Sequence, residues 1–265
     1  MGTFRRFLLS ALPKFALSRT TGLVTRLPLP RPLRAPAYRL FAKRYGAELG
    51  DVDGALCDFR SLAAFFSRPL RDGARVVADA PLVWPCDGRI VTAGRVADGR
   101  IPQVKGVDYT VAELLGEEDR SAHATPLTNG SQATIYLAPG DYHRVHTPFE
   151  AEWLGCRHIP GALFPVNPGA VASIPRLFVR NERVVFRFRL PDQRHAAVVM
   201  VAALNVGDIR YDGACRGPMA RGAELGRFGF GSTVVAIVQA GGPEFAPLAP
   251  GTAVRQGAAA TARAD

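Results

Sequence analysis

Cysteine is scarce in this chain. Cys57, Cys86, Cys156 and Cys215 are scattered over 265 residues, with no C-x-x-C pair and no close spacing. That pattern excludes a disulfide framework and reads as reduced thiols in a cytosolic setting. Long apolar runs are absent too. The uncharged stretch 7–13 is far shorter than the roughly 20 residues a membrane-crossing helix requires. Lys14 cuts it short for a cleaved signal peptide. Arg6 occupies the position where N-myristoylation after Gly2 would call for Ser or Thr. Acid is missing altogether from residues 1–47. That stretch holds ten Lys or Arg residues, so it carries the whole formal charge of +10 and the remainder is neutral.

The basic segment alternates charge with apolar side chains. Phe4, Phe7, Leu8, Ala11 and Phe15 share one side at helical spacing, while Arg5, Arg6, Ser10 and Lys14 fall largely elsewhere. Pro28, Pro30, Pro32 and Pro36 predict a break, followed by a second helix over 37–48. A basic amphipathic helix suits an anionic membrane surface, its arginines on lipid phosphates and its apolar face in the headgroup boundary. The same face could instead pack on the protein's own core. Phe and Leu among the charges argue against nucleic acid as the partner. The expected location is peripheral, on the cytoplasmic face of a bacterial membrane. The acid-free, arginine-rich start also meets the description of a mitochondrial transit peptide, so that reading stays open.

Beyond the basic segment the patterns are mostly those of strands. A short helix is predicted over 59–70, then strands over 82–91, 132–137, 144–147, 150–159, 183–190, 195–206 and 232–239. Val184, Phe186, Phe188 and Leu190 alternate strictly, and 232–239 is a continuous apolar, β-branched run. Short helices fit 111–115 and 170–174. The expected class is α+β: a β-rich, antiparallel, barrel-like core with amphipathic N-terminal helices. Three regions follow: a basic helical membrane-associating segment over 1–58, a β-rich catalytic domain over 59–250, and a mobile tail rich in Ala, Gly and Thr over 251–265.

The residues most suggestive of chemistry are Gly229-Phe230-Gly231-Ser232-Thr233, at the mouth of the last apolar strand. Glycine leaves the backbone carbonyl open to attack and tolerates a strained turn. Attack of Ser232 Oγ on the Gly231 carbonyl would convert the peptide bond to an ester. Elimination gives dehydroalanine, and hydrolysis leaves a pyruvoyl group on a new N-terminus, a built-in electrophile. Gly-Ser-Thr before a strand is also ordinary turn chemistry.

Such a serine needs a base and a group that orients the base. Asp141-Tyr142-His143-Arg144-Val145-His146 holds the one clustered histidine pair; His123, His158 and His195 stand alone. Asp87 lies in Trp84-Pro85-Cys86-Asp87-Gly88, where Asp-Gly is equally a hairpin turn. A histidine pair could hold metal, but no cysteine or carboxylate at zinc-ligand spacing completes a site, so no metal is expected. Spacing alone does not divide labour between His143 and His146.

In order along the chain, Phe65-Phe66-Ser67-Arg68-Pro69-Leu70-Arg71, Asp87-Gly88, the histidine segment, Pro160-Gly161-Ala162-Leu163-Phe164-Pro165-Val166-Asn167, Asn181-Glu182-Arg183 and Gly229–Thr233 resemble the phosphatidylserine decarboxylases. The likeness covers roughly residues 60 to 240, with Phe230 where many members have leucine. It implies self-cleavage between Gly231 and Ser232, a pyruvoyl cofactor made from Ser232, and an Asp87-His146-Ser232 processing triad. It makes His143 the proton donor or acceptor in turnover. The implied reaction converts phosphatidylserine to phosphatidylethanolamine and carbon dioxide through an imine. The implied enzyme is a heterodimer of its own two cleavage chains, its further oligomeric state open. Two other readings fit the residues. One is a serine hydrolase using Ser232, His146 and Asp87, although Gly-x-Ser-x-Gly is absent. The other is a non-enzymatic lipid-binding β module in which Gly-Ser-Thr is only a turn.

Overall fold

The computed structural model describes residues 23–104, 107–118, 120–203, 209–214, 216–229 and 232–261. The first predicted helix, over 4–15, lies outside them. Among the described residues thirteen strands form, all paired antiparallel. They are β1 (Gly88–Arg95), β2 (Arg100–Val104), β3 (Val107–Thr110), β4 (Ser131–Leu137), β5 (Arg144–His146), β6 (Ala151–Ile159) and β7 (Arg183–Arg189). Then come β8 (His195–Ala202), β9 (Ile209–Arg210), β10 (Gly217–Met219), β11 (Glu224–Phe228), β12 (Ser232–Val238) and β13 (Ala253–Val254). Eight make one sheet in the order β10-β6-β7-β8-β12-β4-β1-β13; β5-β11-β9 and β2-β3 form two smaller sheets.

The apolar, β-branched run of β12 predicts burial on both faces, and every residue from Ser232 to Val238 is buried. It lies mid-sheet, with Ser232 opposite Ala202 of β8 and Leu137 of β4. In β7 the alternating Val184, Phe186 and Phe188 point into the core, but Val185 and Arg183 are buried as well. Arg183 is accommodated because its guanidinium donates to the carbonyls of Glu113, Leu114, Val179 and Asn181. All four carbonyls lie in the last turn or at the C-cap of a short helix, where a cation is favourable.

The expected barrel does not close. The sheet ends on β10, three residues long, and on β13, two residues long, and no pairing among the described residues joins these edges. Short edge strands of this kind limit further pairing.

The helices are α1 (Arg31–Tyr45), α2 (Leu62–Phe66), α3 (Val111–Leu115), α4 (Pro168–Ser173) and α5 (Leu177–Arg180). α1 starts earlier than the prolines predicted. Pro32 sits in its first turn, where an N–H would lack an intrahelical partner anyway, and the helix continues through Pro36. It ends where Gly46 adopts a left-handed conformation and its N–H returns to the Ala42 carbonyl. α1 buries Tyr38 and Ala42 and exposes Leu33 and Leu40, so no clean apolar stripe confirms the amphipathic pattern there. α2 is shorter than predicted and is capped by Ser61; α3 carries a reciprocal Thr110–Glu113 cap.

The stretch from Gly251, expected to be a mobile tail, is built into the body as far as the described residues extend. β13 pairs with β1, Ala260 N–H donates to the Leu82 carbonyl at 2.9 Å, and Gln256 is buried. Its Ala and Gly content suits close backbone contact, which composition alone read as looseness.

Candidate functional site

Asp87 sits in the turn entering β1, where the next residue must be glycine. A Cβ at Gly88 would stand 2.5 Å from the Tyr136 carbonyl oxygen. The Asp87 carboxylate accepts from Arg75 Nε at 3.1 and 3.2 Å, from Arg75 Nη2 at 2.6 Å, and from the Gln256 N–H at 2.8 Å. Arg75 also donates to Asp51 at 2.8 Å. Burial opposes its charge, but the bonds and proximity to Asp87 and Asp51 prevail and hold its pKa above the ordinary value. A pocket of about 260 Å³ opens beside this pair, with Arg68, Asp141, Tyr142 and Arg255 also in its wall.

The histidine segment crosses nearby, as a loop leading into β5. At its start Gly140 runs so close to the carbonyl of Tyr45 that a Cβ there would collide with it. His146, the last residue of β5, is bonded through both ring nitrogens. Nδ1 meets the Gly222 carbonyl at 2.8 Å, and Nε2 meets the Tyr142 hydroxyl at 3.2 Å. A carbonyl only accepts, so Nδ1 carries the proton and Nε2 is the basic nitrogen. Burial lowers the pKa of His146, while the Gly222 bond and, more weakly, the Glu224 and Asp87 charges oppose that shift.

His143 is fully buried. Its Nδ1 donates to the Asp141 carbonyl at 2.9 Å, and its Nε2 has no partner among the described residues. Burial pushes its pKa down to about 3, with the Arg68 charge adding to the shift, so the ring is neutral. Ser232 is the first residue of β12 and fully buried; neither its Oγ nor Thr233 Oγ1 has a partner among the described residues. A buried hydroxyl without a partner is costly, and such exceptions concentrate where chemistry occurs.

The fold thus places all four predicted residues at strand ends or turns. None of the hydrogen bonds of Asp87, His146 and Ser232, however, links one of them to another. Gly231, the other half of the predicted cleavage bond, lies outside the described residues. Arg144, next to His143, donates to Glu224 at 2.7 Å and to the Ser67 carbonyl. Sequence reasoning missed Arg75, Gly222 and Gln256, and assigned no role to Tyr142. Among the described residues no group of three or more His, Cys, Asp or Glu side chains comes together as a metal site.

A family model described as phosphatidylserine decarboxylase matches residues 62–262. Proteins named phosphatidylserine decarboxylase proenzyme are similar over nearly the whole length. The one from Anaeromyxobacter sp. (strain K) is 41% identical, covering 94% of each chain. That from Myxococcus xanthus is 38% identical over 88% of each. That from Alcanivorax borkumensis is 37% identical over 92% of this chain and 90% of its own. Matches of this identity and coverage mean that the chain belongs to the phosphatidylserine decarboxylase family.

Proposed function

We propose that this chain is the proenzyme of a phosphatidylserine decarboxylase, which cuts itself between Gly231 and Ser232 and releases phosphatidylethanolamine and carbon dioxide from phosphatidylserine. The observation that carries the reading is Ser232: a buried hydroxyl with no partner among the described residues, at the first position of a central strand, in a chain related to proteins named as proenzymes. Neither the hydrolase nor the lipid-binding module has comparable support. A pyruvoyl group at Ser232 fits its surroundings, because no hydrogen bond has to be broken to transform that side chain. Once formed, the group supplies the electron sink that decarboxylation needs.

The chain's own residues divide the remaining work. In processing, Ser232 Oγ is the nucleophile and His146 the base. The Gly222 carbonyl supports that role by fixing the tautomer that leaves Nε2 basic. Asp87 acts on His146 as a nearby charge, and direct contact would require it to turn from Arg75. In turnover, His143 is the proton carrier. Its neutral ring offers Nε2, free of partners among the described residues, at a fully buried position.

The substrate is a lipid, and the proposed site of contact is an anionic membrane surface. Leu23, Val24, Leu27, Leu33 and Leu40 are exposed large apolar residues in the segment that also exposes Arg26, Arg31, Arg39, Lys43 and Arg44. This combination supports binding in the headgroup boundary. No helix among the described residues is long and apolar enough to cross a membrane.

Intact-mass measurement of the purified protein tests the reading. Two chains with a carbonyl-blocked N-terminus at residue 232 are expected, and Ser232→Ala should remain a single chain. His143→Ala should mature into two chains yet release little phosphatidylethanolamine from phosphatidylserine vesicles. Cleavage at the same bond in Ser232→Ala would remove Ser232 from its role.

A further inference from the structure

Phe66 covers His143. The two rings lie 4.0 Å apart between centroids at 46°, and both residues are fully buried. Among the described residues His143 has only one hydrogen bond to hold its ring, from Nδ1 to the carbonyl of Asp141 in its own loop. That bond fixes the tautomer but leaves the ring free to swing about it. The second restraint must come from packing, and Phe66 is the aromatic ring recorded against it.

The segment bearing Phe66 is fastened to the His143 loop on both sides. Arg68 Nη2 donates to the Gly140 carbonyl at 3.0 Å, and Arg144 Nε donates to the Ser67 carbonyl at 3.2 Å. These bonds bracket His143 and place α2 over its ring. Behind Phe66 stands Phe41 of α1, edge-on at 6.3 Å. Phe41 and Tyr38 also pack on Phe65, Tyr38 stacked at 4.5 Å. The ring over His143 is thus backed by an aromatic cluster and is not a loose contact. The Arg68 charge acts on His143, and Arg68 carries its own bond to the loop.

We infer that Phe66 is a positioning residue for the decarboxylation step: it fixes the His143 ring so that Nε2 points where the reacting carbon will be, and it keeps water off that nitrogen. The hydrogen bonds of His146 run to Tyr142 and Gly222 and not to Phe66, so cleavage and turnover should separate. The inference rests on the proposed role of His143 in turnover.

The test uses the full-length protein with Phe66→Leu, which keeps apolar volume but removes the ring, and Phe66→Ala. Self-cleavage serves as the internal check of folding. Both variants should mature normally. For a misplaced proton carrier kcat should fall by on the order of tenfold in Phe66→Leu and up to roughly 10²-fold in Phe66→Ala, with KM little changed. A second readout does not depend on activity. The His143 ring-proton resonances, assigned by their loss in His143→Ala, should shift in uncleaved Ser232→Ala protein when Phe66→Leu removes the ring current. Unmoved resonances would overturn the contact in solution. Shifted resonances with wild-type kcat, against an inactive His143→Ala control, would overturn the positioning role. Failure of both Phe66 variants to self-cleave would also overturn it, by placing Phe66 in the general fold. An active His143→Ala would instead sink the reading of His143, and this inference with it.

Discussion

Replacing Arg75 by alanine removes the side chain on which the Asp87 carboxylate chiefly depends. Three of the four contacts to that carboxylate come from Arg75 at 2.6 to 3.2 Å, and the fourth is the Gln256 N–H. The two side chains are only 8% and 13% exposed, so solvent cannot replace what is lost. Breaking a buried pair by deleting one partner costs about 3–5 kcal/mol, since the remaining charge stays desolvated. Here the lower end applies. Asp87 keeps one backbone bond, and Asp51, the other partner of Arg75, keeps Arg255 at 3.0 Å. A loss of about 3 kcal/mol is therefore expected for Arg75→Ala. Arg75→Lys should recover part of it, because a lysine restores the charge without the two-pronged geometry. The measurement is urea unfolding in the uncleaved Ser232→Ala background, where one covalent chain keeps the transition interpretable. In the Ser232 parent, the same variant should mature more slowly, because Asp87 loses its fixed position near His146. A stability change below about 1 kcal/mol would refute the argument, since it would mean that the pair behaves like an exposed one.

Asn181 is fully buried and makes three bonds, accepting from Phe164 N–H and donating to the carbonyls of Phe164 and Ala202. Asn181→Leu should cost at least about 3 kcal/mol, at roughly 1–3 kcal/mol for each backbone group stranded, and slow maturation, since Ala202 lies opposite Ser232; urea unfolding and a cleavage time course check both. His143 is buried with its pKa near 3, whereas an unfolded histidine titrates near 6.5. Its contribution to stability is therefore intact above about pH 7 and declines as pH falls through 6.5 toward 3. Between pH 7.5 and 5.5 the loss is about 1.4 kcal/mol, and His143→Asn in the uncleaved background should lack it. Reversing Arg5, Arg6 and Lys14 to Glu should weaken co-sedimentation with anionic vesicles and leave self-cleavage unchanged; unaltered binding would move the membrane contact elsewhere.

The strands most legible in the sequence were those whose side chains settle the matter locally. β8 and β12 are mostly small or β-branched apolar residues, β7 sets Val184, Phe186 and Phe188 on one face, and β4 and β6 mix apolar with polar residues; the bounds of all five fall within a few residues of expectation. β2, β3, β9, β10, β11 and β13 went unrecognised because they are short and lack a sustained alternating pattern, so their pairing partners define them. β13, at two residues, exists because β1 offers it an edge. The candidate site divides the same way. Ser232, His143, His146 and Asp87 sit in recognisable local motifs. Their immediate partners do not: Arg75 is an ordinary arginine twelve positions before Asp87, and Gly222 and Gln256 contribute backbone atoms, which no residue type advertises. Phe66 stood inside a quoted motif, but its contact with His143 spans 77 residues and only folding reveals it.

The position of Ser232 explains how a chain cut beside it could remain one molecule. The piece from residue 232 onward contains β12, which is paired over seven residues with β8 on one side and seven with β4 on the other. Of the groups in those ladders only the Ser232 N–H belongs to the peptide bond proposed to be cut; the pairings of residues 233–238 with both neighbours do not use it. The same piece continues to the far edge of the sheet. β13 pairs with β1, Gly257 N–H donates to the Trp84 carbonyl, and Trp84 N–H donates to the Ala258 carbonyl. Gln256 N–H holds Asp87. A segment tied both at the centre of the sheet and at its edge can leave only if the sheet itself opens. The proposed cut therefore falls where a new chain end can be created at the site while the strand behind it, and the backbone donor to Asp87, stay in place.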